Sequence, residues 1–223
     1  MADRPNPTRR SALAMMAAGG AGAFLAPARA FAATPRAMPA QRYLVFVDGE
    51  RSGTYHVEFL PRDGGFTATS SMSIRVEVAF ITAYRYQQDG QEDWRGGKLV
   101  GFEYVTNDDG TPFLVSGRRK GEDMAVSGPK GAATVPGNIS CSGFWNHNII
   151  YAPALVDPQT GEAVPLSIRR LSAESAQIAK QAVHGLGYAF DTFLKGTIWY
   201  DSHDQLLATS FTQQGHKVEF RRA

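Results

Sequence analysis

Apolar and polar residues alternate along much of the chain that follows residue 42. The clearest run is SIRVEVAF, residues 73–80, in which Arg75 and Glu77 separate apolar neighbours. Similar runs start at Tyr43 and at Tyr55. A period of two places one set of side chains on a buried face of a sheet and the other set in water. The pattern therefore predicts β-strands in these regions.

Residues that tolerate a positive φ stand between the alternating runs. Short stretches at 48–49, 63–65, 107–110 and 213–215 combine Gly with Asp, Asn or Gln, which favours tight hairpin turns. Further strands are expected at residues 98–106, 111–119, 122–127, 163–171, 187–194, 196–201, 205–212 and 216–221. Residues 173–182 (AESAQIAKQA) have the composition of a helix. Because strands flank them, helix and strand both stay open there.

The number and spacing of these strands favour one all-β domain over residues 43–223. A chain of this length buries a core large enough to fold without disulfides. Because tight turns join consecutive strands, we expect a single antiparallel up-and-down meander that closes into a barrel or a curved half-barrel. Closure would also remove exposed sheet edges.

The first 32 residues have the order of a removable export signal. A twin-arginine pattern, TRRSAL at residues 8–13, follows a polar start and precedes an apolar stretch that ends at Ala26. This stretch is shorter than the about 20 apolar residues that a permanent membrane helix needs. Ala-x-Ala sequences end at Ala30 and at Ala32, and both fit signal cleavage. We expect export to the periplasm by the twin-arginine route, a flexible leader at residues 33–42, and no transmembrane segment after signal removal.

Removal of the signal changes the charge of the chain. The full sequence has a formal net charge of +2, whereas the 191 residues that follow Ala32 have a net charge of −1. A nucleic-acid partner is therefore not expected, since binding to phosphates needs a concentrated basic patch. The chain has one cysteine, Cys141, which allows no internal disulfide. Its distance from the cleavage site also argues against lipid attachment there.

Three passages resemble an exported bacterial domain-of-unknown-function family, the one numbered sixty-one thirty-four. They are DWRGGKLVGFEYVTNDDG at 93–110, FWNHNIIYAPALVDPQTGE at 144–162 and GTIWYDSHDQLLATSFTQQGHKVEF at 196–220. The family numbered thirty-one-oh-eight is similar and larger. The resemblance implies a β-rich envelope domain and brings no catalytic residues with it. The chain departs from the family pattern after Asp201, where Ser-His-Asp replaces the usual turn glycine, so this turn needs a less permissive backbone.

The stretch around Cys141 raises an enzymatic interpretation. A Cys141 nucleophile would use His147 as its base, with Asn146 or Asn148 orienting the imidazole. Such a nucleophile requires a neighbour that lowers the pKa of the thiol. A lone cysteine beside aromatic residues is more often a small, buried packing residue. We favour the buried interpretation and predict no catalytic residue.

Aromatic residues near this stretch and on the sheet indicate a ligand site. Phe144 and Trp145 either anchor an irregular crossing over the mouth of the barrel or line a pocket. A sheet face that carries several aromatic residues would line an apolar cavity; these are Tyr84, Tyr86, Trp94, Phe102, Tyr104, Trp199 and Tyr200. The residues predicted to bind a ligand are Trp145, His147, Trp199, Tyr200 and Tyr104.

The histidines do not have the spacing of a metal site, and neither a metal nor a cofactor is expected. Asp201, His203 and Asp204 are predicted to form a solvated turn. Asp157 starts an Asp-Pro-Gln-Thr-Gly sequence, which predicts a turn in which Asp157 and Thr160 cap backbone groups.

These features favour a periplasmic binding or accessory protein that holds an apolar envelope component, either a small molecule or a lipid. A wide apolar interior would support this hypothesis. One alternative is a hydrolase-type enzyme that uses Cys141 and His147, which a polar cleft joining the two residues would support. Another alternative is a structural partner in an envelope assembly, which a fully packed barrel with an exposed apolar patch would support.

Overall fold

The computed structural model describes residues 38–78 and 81–223, except for the side chain of Val78. The predicted export signal and part of the predicted leader lie outside these ranges. Within them the chain consists of β-strands and turns, with one 3₁₀ turn at His147–Tyr151 and no α-helix. This part of the chain contains no helix with the length and apolar character needed to span a membrane.

Eighteen strands follow one another within the described ranges. The first eight are β1 (Gln41–Val47), β2 (Glu50–Arg62), β3 (Gly65–Val78), β4 (Ile81–Arg95), β5 (Lys98–Asp108), β6 (Thr111–Lys120), β7 (Asp123–Gly128) and β8 (Gly131–Pro136). Six short strands come next: β9 (Ser140–Cys141), β10 (Ala154–Val156), β11 (Ala163–Pro165), β12 (Ser167–Arg170), β13 (Ser175–Ile178) and β14 (Gln181–His184). The last four are β15 (Leu186–Asp191), β16 (Lys195–Tyr200), β17 (Leu206–Gln213) and β18 (His216–Arg222).

Thirteen of these strands form one antiparallel sheet. Strands β1 to β8 lie side by side in chain order, and β18, β17, β16, β15 and β12 continue the sheet on the other side of β1. Tyr43 of β1 therefore lies between Tyr55 of β2 and Arg222 of β18. Among the described strands, β8 and β12 do not pair with each other, so the sheet is open. The predicted all-β meander is confirmed, with an open sheet in place of a closed barrel.

Residues 173–182 form most of a hairpin, which resolves the choice between helix and strand. At its turn, Ala179 and Lys180 have φ values of 48° and 62°. Two consecutive positive φ values are typical of a type I′ turn, which matches the twist of a hairpin. Ile178 and Ala179 pack against Trp199 of the large sheet. Burial of these apolar side chains outweighs a weak helical propensity.

The large sheet buries hydrophobic residues on both of its faces. The main cluster includes Tyr43, Tyr55 and Tyr200, and we call the face that carries it the core face. A smaller cluster around Trp199 lies beneath the β13–β14 hairpin on the opposite, outer face. Trp199 and Tyr200 are neighbours in β16, so the alternation of side chains along a strand sends them to different faces.

The core face is covered by residues 139–166, which we call the inner segment. Strands β9, β10 and β11 of this segment form a small sheet of their own, in which β9 and β10 are parallel. Phe144, Trp145, Ile149 and Leu155 are buried against the large sheet. Strands of two or three residues are too short to display a period of two, which is why the sequence pattern did not predict β9 and β10.

Candidate functional site

Two tyrosine hydroxyls hold the inner segment on the sheet. Tyr55 donates a hydrogen bond to the carbonyl oxygen of Gly143, and Tyr200 donates one to the carbonyl oxygen of Phe144, each at 2.8 Å. Phe144 has a φ of 51°, in the left-handed region that residues with a side chain rarely adopt. The two hydrogen bonds therefore stabilise a backbone conformation that is unfavourable by itself.

Trp145 anchors the inner segment in an aromatic cluster. Its ring meets the rings of Phe59, Phe66 and Trp94 edge-on, with centroid distances of 5.1, 6.1 and 6.1 Å. Only 5% of the residue is exposed. Edge-to-face packing of this kind adds to the stabilisation that burial of the rings provides. Of the two interpretations of Trp145, the contacts favour the structural anchor.

Glu92 of β4 is a buried acidic residue that is not among the predicted site residues. Its carboxylate accepts hydrogen bonds from Tyr104 Oη at 2.6 Å, Trp94 Nε1 at 3.0 Å and Trp145 Nε1 at 3.3 Å. Burial raises the pKa of this carboxyl, and the three hydrogen bonds offset part of the increase. The spacing along β4 indicates that Glu92 is buried. Glu92 is an even number of positions from Tyr86 and Trp94, so all three side chains lie on the same, inward face of the strand.

Cys141 has the environment of a packing residue. It is 3% exposed, and burial raises the pKa of its thiol well above the ordinary range, as does the nearby Glu92 carboxylate. The neighbouring Tyr104 hydroxyl, which donates to Glu92, offsets part of this increase in the thiol pKa. His147 instead pairs through Nδ1 with Asp204 at 3.3 Å and packs against the ring of Tyr200. The structure thus places different neighbours around the two residues, and within the described ranges it records no hydrogen bond between them.

The five residues predicted to bind a ligand are separated by the fold. Tyr104, Trp145 and Tyr200 are buried in the main cluster, where they bond to Glu92 or to the inner segment. His147 lies beside Tyr200, and Trp199 lies on the outer face. The ligand-binding role of these residues stays a prediction, and none of the five lines the cavity described next.

A cavity of about 940 Å³ lies at the end of the sheet where β1 turns into β2 and β17 turns into β18. One side of it, the apolar wall, consists of Phe144, Phe193, Leu194, Phe211, Val218 and Phe220. Another side, the polar wall, contains Tyr84, Tyr86, Gln88, Asp157 and Gln159. Three apolar residues of β3 line the cavity beside the β4 members of this wall: Met72, Ile74 and Val76. Charged residues surround the opening and form the rim: Asp48, Glu50, Arg51, Arg75, Glu77 and His216. Of the seven aromatic residues expected to line a cavity, Tyr84 and Tyr86 do so.

Hydrogen bonds fix the side chains of the polar wall. Asp108, directly behind this wall, accepts hydrogen bonds from the Tyr84 hydroxyl at 2.7 Å and from Gln159 Nε2 at 2.9 Å. Gln88 Nε2 donates to the Tyr86 hydroxyl at 2.7 Å. Burial raises the pKa of both tyrosines far above the ordinary value, so both hydroxyls stay neutral at physiological pH.

The Asp157 turn closes the cavity from the side of the inner segment. Asp157 Oδ1 accepts from the backbone N–H groups of Gln159 at 2.8 Å and Thr160 at 3.3 Å. The Thr160 hydroxyl accepts from the N–H group of Glu162 at 3.2 Å. The predicted capping turn is therefore confirmed, and it carries Asp157 and Gln159 to the polar wall.

The turn after β16 shows how the chain replaces the usual glycine. Asp204 takes a φ of 60°, a conformation that Asp tolerates better than most residues. Asp201 Oδ1 accepts hydrogen bonds from the N–H groups of His203 at 2.8 Å and Gln205 at 3.0 Å, while its Oδ2 pairs with Arg222. These hydrogen bonds occupy Asp201 in stabilising the turn.

The sequence of the chain matches that of a known protein family. The profile of the domain of unknown function DUF6134 covers residues 43–223. The chain belongs to this family. The resemblance to the family numbered sixty-one thirty-four is thereby confirmed, and the relation to the family numbered thirty-one-oh-eight stays a prediction. Comparison with curated proteins finds no match.

A solved structure has a similar fold. It is the crystal structure of a β-barrel-like protein of the domain of unknown function DUF1849 from Brucella abortus, with a TM-score of 0.54 and 11% sequence identity. The similarity covers 82% of this chain and 95% of that one. At such low identity the match supports the shared architecture alone.

The lining of the cavity combines apolar and hydrogen-bonding groups. In the part of the chain that the structure describes, no group of three His, Cys, Asp or Glu side chains is placed to hold a metal ion. The cavity offers a hydrophobic surface on one side and fixed hydrogen-bonding groups on the other. This combination is typical of pockets that bind small molecules.

Proposed function

We propose that this DUF6134 protein is a periplasmic binding or accessory protein, and that its cavity holds an apolar small molecule or lipid. The observation that carries the proposal is the cavity of about 940 Å³ with its wall of aromatic and aliphatic side chains. Pockets that bind drug-sized molecules have volumes of roughly 300–1,000 Å³ and a mostly apolar lining. An empty apolar surface of this size is costly in water, so a bound apolar molecule would stabilise the protein.

The enzymatic alternative has less support from the geometry. A Cys141 nucleophile would need access to substrate and a depressed thiol pKa. Cys141 is buried, and the pKa of its thiol is raised. The polar wall of the cavity is a more suitable place for specific contacts than the surroundings of this cysteine.

Binding can be tested with the neutral apolar dye N-phenyl-1-naphthylamine, whose fluorescence rises in an apolar environment. We expect saturable binding by the wild-type protein. Phe193→Asp places a charge on the apolar wall and should weaken binding on the order of tenfold. Phe193 lies in the turn between β15 and β16, where a substitution is tolerated better than in a strand.

The matched control for this test is Leu60→Asp. Leu60 is an exposed apolar residue of β2 that does not line the cavity. The control introduces the same charge and should leave dye binding unchanged. Equal loss of binding in both variants, or no saturable binding by the wild type, would overturn the proposal.

The proposed location rests on the twin-arginine pattern at Arg9 and Arg10. Replacement of both with lysine should leave the precursor in the cytoplasm, since the paired arginines are the address that the export machinery reads. Arg169→Lys with Arg170→Lys is a matched control, because these residues form a second arginine pair within β12. Normal periplasmic amounts of the first variant, measured by cell fractionation, would contradict the twin-arginine assignment.

A further inference from the structure

The two long walls of the cavity differ in chemistry as well as in position. The polar wall contains no basic residue, and it combines the Asp157 carboxylate with neutral tyrosine and amide groups. The Asp108 carboxylate lies directly behind it, in hydrogen bonds to Tyr84 and Gln159. Negative charge is therefore concentrated on the side of the cavity where a polar group of a ligand would be placed.

The polar wall also differs in how many hydrogen-bond acceptors and donors it presents to the cavity. Gln88 is 7% exposed, and its Nε2 donates to the Tyr86 hydroxyl at 2.7 Å and to the Thr106 hydroxyl at 3.2 Å. Among the described residues, nothing donates a hydrogen bond to its amide oxygen. The Tyr84 hydroxyl donates its hydrogen bond to Asp108, so it has no proton left to donate to a ligand. The Tyr86 hydroxyl accepts from Gln88 and keeps its own proton to donate, and Gln159 Nε2 has a second hydrogen. The free acceptors are the amide oxygens of Gln88 and Gln159 and Asp157 Oδ2, so the wall offers both kinds of group, with acceptors in excess.

Basic residues of the cavity are confined to the rim, where acidic residues accompany them. Arg75 Nη1 lies 3.9 Å from Glu77, and His216 Nδ1 lies 2.7 Å from Asp48 Oδ2. Both pairs are exposed to solvent. In total, four acidic residues line the cavity against two arginines and one histidine. The third basic residue, Arg51, is exposed and forms no ion pair among the described residues. The cations that an anionic ligand can meet therefore lie at the rim, and in the described ranges the interior of the cavity contains none.

We infer that the cavity selects apolar molecules that carry a hydrogen-bond-donating group, either a hydroxyl or an amine, and that it rejects apolar molecules that carry a carboxylate. This inference rests on the proposed binding function and adds the chemical class of the ligand. The donor group contacts the acceptors of the polar wall, and the hydrocarbon part lies along the apolar wall. A ligand carboxylate is repelled by Asp157 and Asp108 and finds few donors to replace its lost hydration.

The test is displacement of N-phenyl-1-naphthylamine from the full chain by three molecules with the same hydrocarbon chain: 1-decanol, decylamine and decanoate. We expect decanol and decylamine to displace the dye at concentrations about tenfold lower than decanoate, because two nearby carboxylates oppose the anion. Asp108→Asn combined with Asp157→Asn should reduce this difference to about threefold or less. Asp157→Asn keeps a side-chain oxygen to cap the turn. Asp108→Asn keeps one acceptor oxygen for two donors, Tyr84 and Gln159, so chemical denaturation of the double variant should accompany the binding measurement to show that it is folded.

Asp63→Asn is the control, because Asp63 lies in the turn between β2 and β3 at the opposite end of the sheet, away from the cavity. It should preserve the wild-type ranking of the three molecules. The inference is overturned if decanoate displaces the dye from the wild type as well as the other two molecules do or better. It is also overturned if the double variant leaves the ranking unchanged. In both cases dye binding itself still supports the proposed function. If the dye does not bind at all, both proposals fail.

Discussion

Glu92 shows how much one residue contributes to the interior of this sheet. Its carboxylate joins Tyr104 of β5 and Trp145 of the inner segment, two parts of the chain that are far apart in sequence. A buried acidic group is unfavourable unless hydrogen bonds compensate for the loss of water. Three aromatic donors supply that compensation here. The hydrogen bond between Trp145 and Glu92 therefore links the packing of the inner segment to the protonation state of the Glu92 carboxyl.

Glu92→Gln should change how the stability of the protein depends on pH. The folded protein holds the Glu92 proton more tightly than the unfolded chain, because burial raises the pKa of this carboxyl. Its stabilising contribution is thus complete below the ordinary pKa of 4.5 and is lost as the pH rises toward the raised value. The free energy of unfolding of the wild type should fall relative to that of the variant by up to about 1.4 kcal/mol per pH unit in this window.

Chemical denaturation at several pH values measures this difference. Glu103→Gln is the control, because Glu103 is an exposed residue on the neighbouring strand β5. A difference between wild type and Glu92→Gln that stays constant from acidic to neutral pH would contradict the prediction.

Cys141 gives a second prediction at the scale of a residue. Alkylating reagents should label the native protein slowly near neutral pH and rapidly only after unfolding, since the thiol is buried and its pKa is raised. Cys141→Ala should lower the free energy of unfolding by about 1 kcal/mol, as expected for a small truncation in a core. Fast labelling of the native protein that disappears in His147→Ala would instead support the enzymatic alternative.

At the scale of the element, the alternating pattern predicts most of the long strands, whereas β4 and β8 lie outside the predicted strand ranges. Strands such as β3 and β5 display several periods of two, and their positions were predicted. Strand β9 has two residues, and its position depends on contacts with the sheet rather than on local pattern. The β13–β14 hairpin has helical composition and takes its structure from packing on Trp199.

The same reasoning explains which site residues could be predicted. Tyr84 and Tyr86 are two positions apart in β4, so their side chains lie on one face, as expected for residues that line one cavity. Trp199 and Tyr200 were assigned to one cavity although adjacent residues of a strand face opposite sides. Asp108 and Gln159 meet only through the folded chain, at a separation of 51 residues, and no local signal brings them together.

The tyrosine contacts of the inner segment lead to a prediction about this element. Tyr200→Phe removes the hydrogen bond to the Phe144 carbonyl and leaves a buried acceptor without a partner. Such a loss costs about 1–3 kcal/mol. The free energy of unfolding should fall by this amount, and amide hydrogen exchange in the inner segment should become faster.

Tyr151→Phe is the control for this variant, because Tyr151 belongs to the same segment and is 75% exposed. Its effect on stability should stay within about 0.5 kcal/mol. Similar losses of stability in the two variants would show that the hydroxyl of Tyr200 does not hold the segment.

At the scale of the whole molecule, the open sheet leaves two strands with one unpaired side. Among the described strands these are β8 and β12. Strand β12 carries Arg169 and Arg170, whereas β8, with the sequence GAATVP, has no charged residue. Charged side chains on an edge oppose pairing with the edge of another molecule. The β8 edge is therefore the more vulnerable of the two to self-association.

Thr134→Lys adds a charge to the exposed β8 edge and should lower concentration-dependent association severalfold, as measured by light scattering. The free energy of unfolding should change by no more than about 0.5 kcal/mol, since Thr134 is exposed. Thr111→Lys adds the same charge at an exposed position of β6, away from this edge. If the two variants reduce association equally, net charge and not the edge is responsible.

The position of β1 beside β18 has a consequence for the order in which the protein acquires its structure. The amide of Lys217 donates a hydrogen bond to Asp48, 169 positions earlier in the chain. During translation, β1 therefore has β2 as its only sheet neighbour until β18 has left the ribosome. Contacts across such a long stretch form slowly, because the entropy of loop closure opposes them. A translation product that stops before residue 216 would lack the strand that completes the sheet around β1, so the native state is reached only after this part of the chain is synthesised.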